Sequence, residues 1–232
     1  MELKNVLSRI TIWKGVGKDI EHSLANAKQR IYVITPWISK ENADLLAKKS
    51  KELGEENVMA ILVEDESNYY ALKDIASKRI SKYEFLITLF FTVFSFFVSL
   101  YTFKLFFESY SYVMLAVAFI LLIASFLFYV SMRESFVVSF PFNLVVQRKK
   151  GRNYFLHAKL YIIDNHAYIT SANLTHAGLW KNIESLVSIE DKNAVEELIK
   201  FVHSIERKIE KVDVSEFMRR YALKNRFLAL GR

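Results

Sequence analysis

One α/β domain, interrupted by a two-helix transmembrane hairpin, is the architecture the sequence predicts. Three observations carry it. Short β-branched runs alternate with amphipathic helical segments before residue 83 and after residue 134. Two long uncharged runs fill the middle. Near the end of the second half, polar side chains recur two residues apart on otherwise apolar strands.

The first half opens with a short apolar strand at 10–13. Residues 17–28 have helical spacing, with Ile20, Leu24 and Ala27 on one face. The run 30–37, RIYVITPW, is β-branched and stops at Pro36. A helix is expected over 39–53, with Ser39 and Asn42 as N-cap candidates and Gly54 just past its end. Residues 57–63 form the next strand, and 69–80 a helix expected to run straight into the first span.

Residues 85–103 and 109–132 contain no charge. Each is about as long as the roughly 20 residues needed to cross a hydrocarbon core. They are apolar on all faces, whereas a soluble helix usually keeps a polar stripe. The expectation is a hairpin over 84–133, with spans at 85–103 and 110–132. Lys73, Lys78, Arg79, Lys82 and Arg133 flank it, while Lys104 alone is basic in the link. That asymmetry places both soluble pieces and both termini in the cytoplasm of a multi-pass membrane protein.

After the hairpin, 136–146 has β character broken by Pro141. Strands are expected at 154–164, 167–170 and 184–189. A long amphipathic helix covers 193–211, with Val195, Leu198, Ile199, Val202, Ile205 and Ile209 on its apolar face. The domain organisation is therefore 1–83 and 134–211 as two parts of one domain, 84–133 as an insertion, and 212–232 as a basic tail.

The 232 residues carry a net charge of +7. A basic balance favours anionic partners such as nucleic acid or phospholipid head groups. Cysteine is absent, which excludes disulfides, thiolate metal sites and a cysteine nucleophile. Met1-Glu2-Leu3-Lys4 lacks an apolar core, so no cleavable signal peptide is expected.

The chemistry lies in 156–184, LHAKLYIIDNHAYITSANLTHAGLWKNIE. His157 and Lys159 are two apart on a predicted strand, so imidazole and ammonium project to one side. Ser171 and Asn173 repeat that spacing after the next strand. If the strands are neighbours, four polar groups converge. Neutral imidazole is a nucleophile near pH 7. Lysine and asparagine can hold the non-bridging oxygens of a phosphate. Glu184 is a candidate to orient the ring. Arg148, Lys149, Lys150 and Arg152 form a basic cluster that can guide a polyanion or serve as a solvated loop. Trp37 and Trp180 are candidates to line the cleft or to pack in the core.

His157-x-Lys159-x4-Asp164, followed by Thr170-Ser171-Ala172-Asn173 and Glu184, resembles the signature of the phospholipase D superfamily. Thr170 stands where that signature has glycine, and the gap from Asp164 to Ser171 is one residue shorter. The upstream run IYVITPWI resembles the first core strand of these domains. The resemblance implies a phospholipase D-like mixed sheet flanked by helices, and a phosphodiesterase without metal or cofactor. It also implies a phosphohistidine intermediate. His157, Lys159, Asn173, Ser171, Asp164 and Glu184 are the site residues it carries over, with Asp164 expected to support rather than to react. The motif occurs once, whereas the family site uses two. The resemblance therefore implies a homodimer sharing one active site, with phospholipid or nucleic acid as substrate. The contrasting expectation is a catalytically silent, membrane-tethered scaffold or binding module.

Overall fold

The computed structural model describes residues 8–79, 137–149 and 155–230, with scattered positions between 89 and 123. The chain forms two compact units, residues 1–77 with 139–232 and residues 78–138.

The first unit is built on an eight-stranded mixed sheet in the order β1-β9-β8-β7-β2-β3-β6-β10. Its strands are β1 (Ser8–Lys14), β2 (Ile31–Ile34), β3 (Val58–Val63), β6 (Asn143–Gln147), β7 (Leu160–Ile163), β8 (His166–Thr170), β9 (Ile183–Ile189) and β10 (Lys211–Val212). The short strands β4 (Ser77–Arg79) and β5 (Val137–Ser139) pair separately. β2, β3 and β6 run parallel. β7, β8, β9 and β1 continue the sheet antiparallel.

The helices are α1 (Gly17–Asn26), α2 (Lys40–Leu53), α3 (Glu66–Leu72), α4 (Lys192–Lys208) and α5 (Val214–Leu230). Punctuation sets their ends. Gly54 takes φ 96° after α2, a left-handed conformation that glycine adopts without a Cβ clash. Asp65 caps α3 by accepting from Ser67 N, and Asp191 caps α4 by accepting from Ala194 N.

The apolar stripe of α4, Val195, Leu198, Ile199 and Val202, packs on Ile34, Ile61, Leu160, Ile162, Ala167 and Ile189 of the sheet. Tyr168 alternates with Ala167 and so faces the other way, where its hydroxyl meets Ser23 of α1 at 2.8 Å. The sheet is thus covered on both faces at its centre. That is why β3 and β7 are buried at every position and show no alternation.

Two expectations are corrected. The helix expected at 69–80 ends at Leu72, where Ile75 and Ala76 both donate backbone N–H groups to the Leu72 carbonyl, and Ser77–Arg79 is strand. The two-span membrane topology, with both termini cytoplasmic, is overturned as well. Among the described residues no helix is long and apolar enough to cross a membrane. Absence of charge reports how apolar a segment is, but a span also requires one continuous helix of about 20 residues. Most of 85–103 and 110–132 lies outside the described residues.

Candidate active site

At one edge of the sheet, β2, β3, β6 and β8 end while β7 and β9 begin, as the pairings Leu160↔Ile34, Leu160↔Ile169 and Val63↔Gln147 require. Five of the six motif residues sit at this edge. His157 and Lys159 precede β7, Ser171 and Asn173 follow β8, and Glu184 opens β9.

The strand expected at 154–164 begins only at Leu160; residues 155–159 belong to no strand, although Thr170 N donates to the Lys159 carbonyl at 3.1 Å. His157 is exposed and Lys159 is only 7% exposed. Their side chains still meet. The Lys159 Nζ lies 3.1 Å from His157 Nδ1 and 3.3 Å from Nε2, and it donates to the His157 carbonyl at 3.0 Å. Burial pushes the Lys159 ammonium below the usual lysine range, and the charge of Glu184 partly opposes that. Two aromatic rings flank the imidazole. Trp37 stands edge-on at 6.1 Å between centroids, and Phe155 lies tilted by 30° at 5.8 Å.

The loop after β8 is held by side chains. The Thr170 hydroxyl donates to the Ser185 carbonyl at 2.6 Å and accepts from Ala172 N at 3.0 Å. The residue that departs from the signature glycine thus supplies two anchors. Ser171 Oγ donates to Glu184 and accepts from Ser185 N at 2.9 Å. The Tyr161 phenol, buried between the elements, donates to the Ala172 carbonyl at 2.7 Å, and burial pushes its pKa up. Leu174 ties the loop to the end of β2. Its N–H meets Thr35 Oγ1 at 3.3 Å, and its carbonyl accepts from Ser39 N at 2.9 Å. Gly178, in the π-helical turn Ala177–Lys181, lies against the Asn173 backbone; a Cβ there would stand 2.5 Å from the Asn173 carbonyl oxygen.

Asn173 Oδ1 is buried without a hydrogen-bond partner. A buried acceptor in that state costs about 1–3 kcal/mol until a donor meets it. Which atom of the amide faces the site follows from the network around it.

Glu184 does not hold the imidazole in this geometry. One of its oxygens takes the Ser171 hydroxyl, and the other accepts from Asn182 Nδ2 at 3.2 Å. Asp164 stands at the far end of β7, away from the motif edge. It takes φ 54° at the first position of the two-residue turn into β8, a conformation aspartate tolerates. Its carboxylate accepts from the backbone N–H groups of Lys28, Gln29 and Arg30 at 2.7–3.1 Å. In the basic cluster, Arg148 pairs with Glu210 at 3.1 Å and Lys149 with Asp65 at 2.5 Å. Lys150 and Arg152 lie outside the described residues. Trp180 is turned to α1, donating to Glu21 at 2.7 Å. Thr35, Phe155 and Gly178 went unread in the sequence. Phe155 had a signal in its i, i−2 relation to His157; Gly178 had none, because its neighbour is set by tertiary packing.

Residues 133–206 match the family described as cardiolipin synthase, PLD-like domain. That segment contains His157, Lys159, Asp164, Ser171, Asn173 and Glu184. No curated protein matches the chain. Solved structures similar to it include NucT from Helicobacter pylori, at 10% identity and TM-score 0.49, covering 90% of this chain and 100% of that one. Nuc from Salmonella typhimurium, a phospholipase D family member, is 13% identical with TM-score 0.43 and covers 89% and 99%. The phosphatidylserine synthase of Haemophilus influenzae Rd KW20 is 13% identical with TM-score 0.47 and covers 99% of this chain and 47% of that one.

Proposed function

We propose that the chain is a phosphodiesterase of the phospholipase D type, working as a homodimer with His157 as nucleophile. The observation that carries this reading is the meeting of an exposed imidazole with a buried ammonium at 3.1 Å, at the edge where Asn173 also lies. A structural role does not account for it, because a desolvated lysine with no carboxylate within ion-pair distance among the described residues is costly. An anionic phosphate beside Lys159 offsets that cost.

The proposed steps use the groups of one motif and the imidazole of a second. A ring nitrogen of His157 attacks phosphorus, and the bond from phosphorus to the leaving oxygen breaks. The leaving oxygen takes a proton from a second imidazole, His157 of the partner subunit. That neutral ring then accepts a proton from water as the water oxygen attacks phosphorus. The P–N bond breaks and His157 is regenerated. Lys159 and Asn173 hold the phosphoryl oxygens throughout. No metal takes part in these steps, so hydrolysis should survive EDTA; abolition by the chelator would refute the scheme.

Exposed apolar side chains beside the motif support the homodimer. Ile10, Ile12, Ile169 and Ile183 are 70%, 67%, 39% and 77% exposed, and the register puts all four on one face of the sheet. Ile169 and Ile183 are close in sequence to Ser171 and Glu184, so a two-fold axis there brings two motif edges together.

The test is hydrolysis by wild type and His157→Ala of a bis-aryl phosphodiester, single-stranded DNA and phospholipid vesicles. Loss of activity by at least about a thousandfold is expected, as for removal of a covalent nucleophile. Equal behaviour of the two proteins on all three would leave the scaffold reading standing. Purified heterodimers of one wild-type and one His157→Ala subunit should be inactive; full activity there would exclude a shared site.

A further inference from the structure

We propose that Phe155 is a stacking residue for the nucleobase next to the scissile phosphate, which makes single-stranded nucleic acid the substrate class of this site. The inference rests on the phosphodiesterase reading and adds what binds beside the phosphorus.

Phe155 is 48% exposed although it lies two residues from His157 and only 5.8 Å from its ring. Phe155, His157 and Lys159 meet on one side: the Phe155 ring lies 5.8 Å from the imidazole, and the Lys159 ammonium lies 3.1 Å from its Nδ1. The order along that side is aromatic ring, imidazole, ammonium. A phosphate held by His157 and Lys159 therefore has its substituent next to the Phe155 face. Trp37 closes the other side of the imidazole edge-on.

The surroundings favour a base over an acyl chain. Among the described residues, the groups that meet at the motif besides the two rings are Lys159, Ser171, Asn173, Asn182 and Glu184, all polar, while the exposed Ile169 and Ile183 lie on the sheet face beside it. A lipid needs a continuous apolar groove for its chains, whereas a nucleotide needs one flat ring for the base and polar groups for the backbone. The net charge of +7 suits the polyanion that continues on either side.

The experiment compares two single strands of equal length and charge, oligothymidylate and a chain of abasic tetrahydrofuran phosphates. Binding is read by fluorescence anisotropy in a His157→Asn background, and initial rates are read with His157 intact. Phe155→Ala should weaken oligothymidylate binding on the order of tenfold and raise KM with little change in kcat. Affinity for the abasic chain should stay where it was, and Phe155→Trp should restore oligothymidylate binding. Circular dichroism and melting temperature check that the variants fold. Equal loss on both strands, or loss on neither, overturns the proposal. So does a loss confined to phosphatidylglycerol vesicles, which would assign the ring to lipid. Because the binding arm uses a protein without the nucleophile, it reads stacking even if wild type cleaves nothing, and that second outcome would count against the activity alone.

Discussion

Lys159 is the buried cation of the site, and its environment fixes the sign of a pH effect. Burial holds its pKa below the usual lysine value. Only the ammonium form holds a phosphate, so activity should fall on the alkaline side at a lower pH than an ordinary lysine would give. The rate profile of hydrolysis from neutral to strongly alkaline pH checks this. Stability runs the other way. Between the native and unfolded pKa values the unfolded chain binds more protons, so unfolding free energy rises with pH across that window. Asp164 makes a contrasting case. Its carboxylate serves three backbone N–H groups at the start of β2. Asp164→Ala should cost about 1–3 kcal/mol in urea unfolding, while the folded fraction keeps its specific activity. Asp164→Asn, which retains one acceptor and tolerance of φ 54°, should cost less.

At the scale of elements, the site depends on how loops are tied rather than on strand composition. Gly178→Ala places a methyl carbon 2.5 Å from Asn173 O and 2.8 Å from Asn173 N. The loop must move, at a cost of about 1–3 kcal/mol. We expect a lower melting temperature together with a lower kcat, although residue 178 touches no substrate. This dependence was hidden in the sequence. Strands and helices bounded by Pro36 and Gly54 were legible, because punctuation and periodicity act within a few residues. The two-residue spacing pairs His157 with Lys159 and Ser171 with Asn173; that both pairs lie where β7 begins and β8 stops follows from the β7–β8 pairing. That Ser171 and Asn182, not His157, occupy Glu184 was not legible. The β8–β9 register, Thr170 opposite Leu186, decides it. The strand at Ser77–Arg79 was missed for the same reason, since its partner, Val137–Ser139, lies some sixty positions away.

For the whole molecule, the exposed isoleucines beside the motif set a test of assembly. Ile12→Asp combined with Ile183→Asp puts charge on a face that a second copy would cover. Because both positions are largely exposed, the fold itself should tolerate the change. Sedimentation should then report a monomer, and hydrolysis should drop to the His157→Ala level. A dimer that persists with full activity would place the interface elsewhere. The long uncharged stretches teach a related lesson. Hydrophobicity without charge predicts a membrane hairpin, yet among the described residues no helix satisfies the length and continuity a span needs.

Ser77 and Ser139 touch, Oγ to Oγ at 2.7 Å, and Ser77 Oγ also meets the Ser139 carbonyl at 3.2 Å. The two ends of the sheet unit that flank residues 78–138 therefore meet. A few glycines and serines would bridge so small a gap. A splice variant joining 77 to 139 should keep the melting transition of the sheet unit, giving a compact version of the protein on which the chemistry at the other edge can be dissected.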